Sequence, residues 1–485
     1  MSRTVLAVDQ GTANTKALLI NENGAIRASA SRPVPIRYPQ PGWVEQDAME
    51  LWDSVRGAIS DCLLQVGGVV PDVLGISNQR ESAIARDRRS GLPIGPCVTW
   101  QCRRTAPFCA ELRRGGREAL LVRRTGLAVD PVFSASKMRW LLEHSPDGFR
   151  RAADGEIALG TVDSWLLWKL TGGKVHACDL TNASRTQLLD LRRLDWDAEL
   201  LSLFGIPGAA LPVLHTSSHL YGETTNGIPI GALSGDSHAA LFGHAIFTPG
   251  AVKATYGTGS SLMALTREPM WIEGLSTAIG WSCRETRYAL EGNIFSTGGT
   301  VQWIGEFLGF TDPAKEAAAL ADTVADNGGV YLAPAFTGLG APYWNDRARG
   351  VLCGLTRGTT AAHAARAAVE STAYQVADVF IAMERASGQS IPALHADGGG
   401  TRNDLLMQFQ ADILNREVVR SASADVSAMG AAWLAGLAAG IWKSLDELAA
   451  LPRAEQRFRP AMKGAERERL YSGWREAVER ALVER

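Results

Sequence analysis

The 485-residue sequence has almost no excess of either charge: 49 Lys and Arg face 51 Asp and Glu, a formal net charge of −2. With no basic surplus to neutralise a phosphate backbone or an anionic lipid surface, neither a nucleic-acid nor a membrane partner is expected. Cysteine is sparse and scattered. The seven, Cys62, Cys97, Cys102, Cys109, Cys178, Cys283 and Cys353, include no C-x-x-C pair, which argues against a zinc site or a redox dithiol. Such a dispersed, odd set fits reduced thiols and a cytoplasmic location. Long hydrophobic runs are missing as well. The longest, residues 428–442, is too short to cross a bilayer and reads as a buried Ala- and Gly-rich helix. The opening Met-Ser-Arg-Thr-Val leads directly into a strand and shows no leader pattern. No G-x-x-x-x-G-K occurs, so a phosphate site here would not be a Walker loop.

What is abundant is glycine, 50 residues. The length exceeds one ordinary core and predicts two domains, 1–246 and 247–485. Residues 4–8 read as a β-branched strand that stops at Asp9-Gln10-Gly11-Thr12-Ala13-Asn14, and a second strand follows over 16–20. This is at least a hairpin turn. As a phosphate turn, Gly11 would let the backbone approach, N–H groups and hydroxyls would bond phosphate oxygens, Asp9 would face a metal ion, and Lys16 would add a cation. Residues 252–261, Val-Lys-Ala-Thr-Tyr-Gly-Thr-Gly-Ser-Ser, repeat strand, turn and strand at the start of the second half. Two such turns, each opening a half-chain, predict a duplicated architecture gripping one polyphosphate from both sides. A third glycine turn, His395-Ala-Asp397-Gly398-Gly399-Gly400-Thr401-Arg402-Asn403, precedes a helix. It is either a tight connection or a nucleotide seat of helix N-terminus and bare backbone.

Between these turns lies Leu233-Ser-Gly-Asp236-Ser237-His-Ala-Ala-Leu-Phe-Gly243, a strand end, a turn and a helix opening. Asp236 in isolation is an N-cap. Flanked by two phosphate turns, it is read as the catalytic base at a seam between the halves. Arg80-Glu81 ends a strand over 73–77. Such neighbours are usually a solvated pair, but in a cleft one donates to hydroxyls and the other accepts, which suits a polyol. Trp100 is either core or an apolar wall for a small sugar alcohol. Asp47-Ala-Met-Glu50 predicts a capping box for a helix to about residue 65. Helices are also expected over 136–143, over 161–168 as a capped Trp-rich element, over 361–386, and over 466–485 as a solvated one. Residues 179–185 read as a polar loop, and residues 336–344 as a stiff loop lining the cleft.

Taken together, Asp9-Gln10-Gly11-Thr12, Pro41-Gly42-Trp43-Val44-Glu45, Asn78-Gln79-Arg80-Glu81, Trp100-Gln101-Cys102-Arg103-Arg104, Thr181-Asn182-Ala183-Ser184-Arg185-Thr186, Tyr256-Gly257-Thr258-Gly259 and residues 336–344 resemble the FGGY carbohydrate kinases, most closely the glycerol kinases. The resemblance covers nearly the whole chain. It implies an α/β fold of two actin-like, ribonuclease-H-like domains hinged around a cleft for ATP and Mg2+. It implies Asp236 as base, with Asp9 and Asp236 at the metal. Thr12, Ala13, Asn14, Lys16, Thr258, Gly259, Gly298, Gln302, Gly399 and Asn403 fall at the nucleotide. Arg80, Glu81, Trp100, Val132, Asp236, Ser237 and Phe295 fall at the polyol.

Three departures stand out. Val132 replaces the usual Tyr, Ser237 the usual Gln, and Ala13 a common Thr. Losing a hydroxyl partner shifts specificity, so a tetritol or a pentulose such as xylulose is the alternative acceptor. Between Gly222 and Ile228 the loop by which some relatives bind a sugar-bisphosphate regulator is missing. The partners expected are a small polyol, ATP, and self-association as a homodimer or homotetramer. A non-catalytic, actin-like ATP-binding protein is the reading from another class; Asp236 and the Arg80-Glu81 pair argue against it.

Overall fold

The computed structural model describes residues 3–388 and 390–483. Two sheets organise the chain, and they follow one plan. In the first, Thr4–Gln10, Asn14–Asn21 and Ile26–Pro33 form an antiparallel meander. Val73–Asn78 adds to Thr4–Gln10 in parallel, Pro229–Gly235 adds in parallel to that, and Ser218–Glu223 closes the edge antiparallel. In the second, Val252–Tyr256, Ser260–Thr266 and Thr286–Ile294 make the meander, with Ser276–Ser282 outside it. Ala393–Asp397 and Glu417–Ser421 add in parallel, and Glu455–Phe458 closes the edge antiparallel. This is the doubled ribonuclease-H-like, or actin-like, arrangement.

Side-chain alternation explains why the first sheet is covered on both faces. Leu6 and Val8 enter one core with Leu51, Val55 and Trp165. Val5 and Ala7 enter another with Leu241, Phe242 and Trp433. The second core draws on both halves. Asp236–Gly243 follows Pro229–Gly235, and Val426–Ala438 follows Glu417–Ser421 at the equivalent place. These two helices pack against each other over the first sheet. The approach is close enough that a Cβ at Gly430 would fall 1.8 Å from the Ala239 carbonyl oxygen, so only glycine fits.

Several expected elements differ in detail. Asp47 caps Ala48–Leu64 through the Met49 and Glu50 N–H groups, but Glu50 does not complete a box; it pairs with Arg37 at 2.7 Å. The helix expected from residue 136 begins earlier, as Ser134–Glu143. Thr161 precedes Val162–Leu170 without capping it, its hydroxyl donating to Asp163 instead. Residues 179–185 are not an exposed polar loop. Asp179 caps the short helix Leu180–Ala183, and the whole segment is buried because its polar groups satisfy one another and the strands beneath. The last helix, Gly464–Leu482, is not wholly solvated either. Leu470, Trp474, Ala477, Val478 and Ala481 form a buried stripe on it, and residues 484 and 485 lie outside the described chain. No helix among the described residues is long and apolar enough to cross a membrane.

Candidate active site

Register assembles the site. Parallel pairing sets Asp9 beside Ser77 and Gln10 beside Asn78, and Gly235 also beside Asn78. Asp9, residues 79–81 and Asp236 therefore emerge together at the carboxyl ends of three neighbouring strands, where open α/β sheets bind ligands. Gly235 has extended backbone, and Asp236 is the first helical residue. Its carboxylate does not cap the second or third turn position. It accepts the Ser237 N–H at 2.6 Å and lies 3.2 Å from Arg80 Nε. With its side chain 38 % exposed, it still has a face open to a ligand. Burial raises its pKa above the ordinary carboxylate value, with Arg80 opposing.

Arg80 and Glu81 are not the solvated pair that such neighbours usually form; both residues are buried. Arg80 spans Asp236 and Glu291, donating to the Glu291 carboxylate at 2.8 Å. Arg185 joins Glu291 to Glu81 instead, at 2.7 Å and 2.6 Å respectively. Arg80, Glu81 and Arg185 come from the first half and Glu291 from the second, so the halves meet at a buried four-charge joint under Asp236. Burial pushes Glu291 up, but Arg185 and Arg80 outweigh it and hold the carboxyl far below its usual range. Taking one member from such a network typically costs about 3–5 kcal/mol, because a charge is left buried without its partner. Glu81 also sits at φ 60°, a left-handed conformation that costs a non-glycine residue about 1–3 kcal/mol.

The first glycine turn is braced by side chains from neighbouring segments. Trp100 Nε1 donates to Thr12 Oγ1 at 3.0 Å, and Gln46 Nε2 donates to the Thr12 carbonyl at 2.7 Å. Gln79 donates to Gln10 and Gln46 and accepts from Ser82, whose hydroxyl receives the Trp100 N–H. Ala13 and Asn14 are exposed at the tip. Lys16 pairs with Asp425 at 2.8 Å, so its charge is shared with the second half. Burial and the neighbouring Asp236 raise Asp9 to about 6, while Ser77 donates to it at 2.9 Å. Val132 is half-buried, its N–H on the Asp130 carboxylate.

In the second half, Gly257 N–H closes the turn onto the Gly259 carbonyl at 2.9 Å. The helix Gly298–Phe307 docks onto that turn through bonds from Thr297 and Gly299 to Thr258 and from Gly298 to Gly257. A Cβ at Gly298 would meet the Gly257 carbonyl oxygen at 2.5 Å. Thr258 is exposed, and a Cβ at Gly399 would meet nothing within 4 Å, so both have open space before them. Beside the third turn lies a cavity of about 350 Å³ lined by Gly398, Thr401, Arg402, Arg420 and Ser423, among others. Two expected contacts have partners of their own. Gln302 donates to Glu306 at 2.7 Å, and Asn403 caps Asp404–Leu414 through the Leu406 N–H. Phe295 is exposed and meets Trp344 edge to face at 6.1 Å, which brings the 336–344 loop to the site.

Sequence reasoning missed Arg185, Glu291 and Asp425 as members of this constellation. A signal existed for one of them: Glu291 is the lone acid in the apolar strand Tyr-Ala-Leu-Glu-Gly-Asn-Ile. For Arg185 the dense polar run 179–186 was a hint without a partner.

Comparison with known proteins agrees with this layout. Residues 4–243 match the N-terminal domain of the FGGY family of carbohydrate kinases and residues 252–439 match its C-terminal domain. A glycerol kinase of Symbiobacterium thermophilum is 48 % identical over 487 residues, covering 98 % of both chains. Glycerol kinase 2 of Thermotoga maritima is 46 % identical over 489 residues, covering 99 % of this chain and 98 % of that one. The crystal structure of Plasmodium falciparum glycerol kinase with ADP superposes with a TM-score of 0.93 at 32 % identity, over 100 % of this chain and 99 % of that one. With both halves matched in order and along nearly their full length, this chain belongs to the FGGY family of carbohydrate kinases.

Proposed function

We propose that this chain transfers the terminal phosphoryl group of ATP to a primary hydroxyl of glycerol, giving glycerol 3-phosphate. The observation that most supports this is Asp236. Its carboxylate is partly exposed at a helix start, 3.2 Å from an arginine that is itself buried at the joint of the halves. Arg80 and Glu81 would donate to and accept from the polyol hydroxyls, with Trp100 and Phe295 as apolar walls and Val132 and Ser237 beside them. Asp236 takes the proton of the attacking hydroxyl, and a raised pKa improves it as a base. Thr12, Ala13, Asn14, Lys16, Thr258 and Gly259 would surround the phosphates, and Gly298, Gln302, Gly399 and Asn403 the adenosine. Fixed N–H groups at the two turns would stabilise the spreading charge without reorganisation. Closure of the halves would keep water from the phosphoryl group.

Asp9 and Asp236 suit Mg2+. They are hard oxygen donors, burial raises the pKa of both and Asp236 raises that of Asp9 further, and Mg2+ commonly uses one or two carboxylates with substrate phosphates. When bound there, the ion would draw negative charge from the phosphate oxygens. The free, mostly buried thiols fit a cytoplasmic location.

A second reading, a tetritol or a pentulose acceptor, is favoured by the small side chains of Val132 and Ser237. Ranking glycerol, erythritol, threitol, xylulose and ribulose by kcat/KM decides between them. Glycerol is expected to lead; a longer acceptor ahead by more than about tenfold, roughly 1.4 kcal/mol, overturns the assignment.

A further inference from the structure

Lys137 has no part in the chemistry above, yet it is completely buried on the first turns of Ser134–Glu143. Its ammonium donates to three backbone carbonyls: those of Val132, of Phe133 at 3.0 Å and of Glu81 at 3.4 Å. Among the described residues it enters no ion pair. A buried charge held only by carbonyls is a costly way to fill a core, and an apolar side chain of similar length would cost the fold less. Burial pushes its pKa down to about 8, with Glu81 opposing.

The three carbonyls belong to two segments distant in sequence that converge on the proposed polyol subsite. One carries Val132. The other carries Arg80 and Glu81 on a left-handed backbone at Glu81. A strained residue keeps one conformation only where its surroundings over-determine it. Here the Glu81 carbonyl receives the Ser134 hydroxyl at 3.1 Å as well as Lys137, and Arg185 holds the Glu81 carboxylate. Ser134 and Lys137 sit one turn apart on the same helix and are both buried. They tie the backbone of Glu81 and the 132–133 loop to one rigid element.

We propose that Lys137, assisted by Ser134, is the positioning residue of the polyol subsite, fixing the Glu81 backbone and the Val132 loop relative to each other so that both face one acceptor. It touches no reacting atom, and the nucleotide turns lie on other elements. The proposal rests on the assignment of Glu81 and Val132 to the acceptor.

The test measures KM for glycerol and for ATP, kcat and thermal melting in Lys137→Met, Ser134→Ala and Glu81→Gln. Lys137→Met is expected to raise the glycerol KM about 10- to 100-fold, and Ser134→Ala about 3- to 10-fold, with the ATP KM within about threefold of wild type. Should Lys137→Met fail to fold, Ser134→Ala decides. Folded variants with an unchanged glycerol KM, or with both KM values rising together, overturn the positioning role. Glu81→Gln separates the two levels. If it raises the glycerol KM while the other two do not, only the positioning role falls. If it leaves the glycerol KM unchanged, the acceptor assignment falls, and the positioning role with it.

Discussion

The two halves share a strand plan but spend their strand ends differently. Both open on a hairpin with a glycine turn, residues 11–13 and 257–259, and both send a helix back across the first sheet from the third parallel position. At the start of those helices stand two carboxylates, Asp236 and Asp425. Asp236 meets Arg80 and open space, whereas Asp425 meets Lys16 from the opposite half. The first half gathers charged side chains around its strand ends: Arg80, Glu81, Arg185 and Asp236. The second answers with Gly257, Thr258, Gly298 and Gly399, which present backbone and space. One scaffold used twice can thus divide its labour. In the reading proposed above, the side-chain-rich end handles the acceptor and the backbone-rich end holds the nucleotide. The halves also interlock, since Glu291 of the second pairs with two arginines of the first, and His244 of the first bonds Asp397 of the second at 2.7 Å.

Substitutions on either side test that division. The largest effect is expected at Arg80→Met, with kcat/KM for glycerol falling about 1,000-fold, roughly 4 kcal/mol, and ATP affinity nearly unchanged. An equal loss in ATP affinity would break the comparison. Glu291→Gln leaves two buried guanidinium groups short of charge. Urea denaturation should register a loss of about 3 kcal/mol, and a stability equal to wild type would mean that the joint contributes nothing. At the turn proposed to hold the nucleotide, Gly298→Ala forces the Gly257 turn to move and should raise the ATP KM about tenfold while sparing glycerol. A rise in the glycerol KM instead would reverse the assignment.

The smallest effect is thermal. Asp9 in the fold is raised to about 6, above its ordinary 3.8, so between those pH values the native state holds a proton that the unfolded chain has released. The ionised form therefore costs stability. The penalty is full above pH 6, shrinks as pH falls through 6, and vanishes below 3.8. Asp9→Asn should raise the melting temperature of the ligand-free protein by about 2–4 °C at pH 7.5 and by less at pH 5. A gain that grows towards pH 5 would contradict the electrostatic account.

Much of this was legible in the sequence because turns are local. Glycine and threonine clusters after apolar strands identified both hairpins, and the strand-to-helix pattern singled out Asp236. The charge joint was not legible. Arg80 and Glu81 are adjacent, but their partners lie about a hundred and two hundred residues away, and no local periodicity reports such pairing. For the same reason the 179–185 segment read as a loop. Its polar residues are buried only because Asp179, Asn182 and Asn78 satisfy one another across the fold. Gln302 and Asn403 matched by position, yet each side chain has a partner on its own helix, a competition that position alone does not reveal.

The most direct test of the central claim is Asp236→Asn, assayed for transfer from ATP to glycerol alongside calorimetric binding of each ligand. The account predicts kcat at least about 1,000-fold lower, with both dissociation constants within about threefold of wild type. A variant that phosphorylates glycerol near the wild-type rate would show that another group takes the proton.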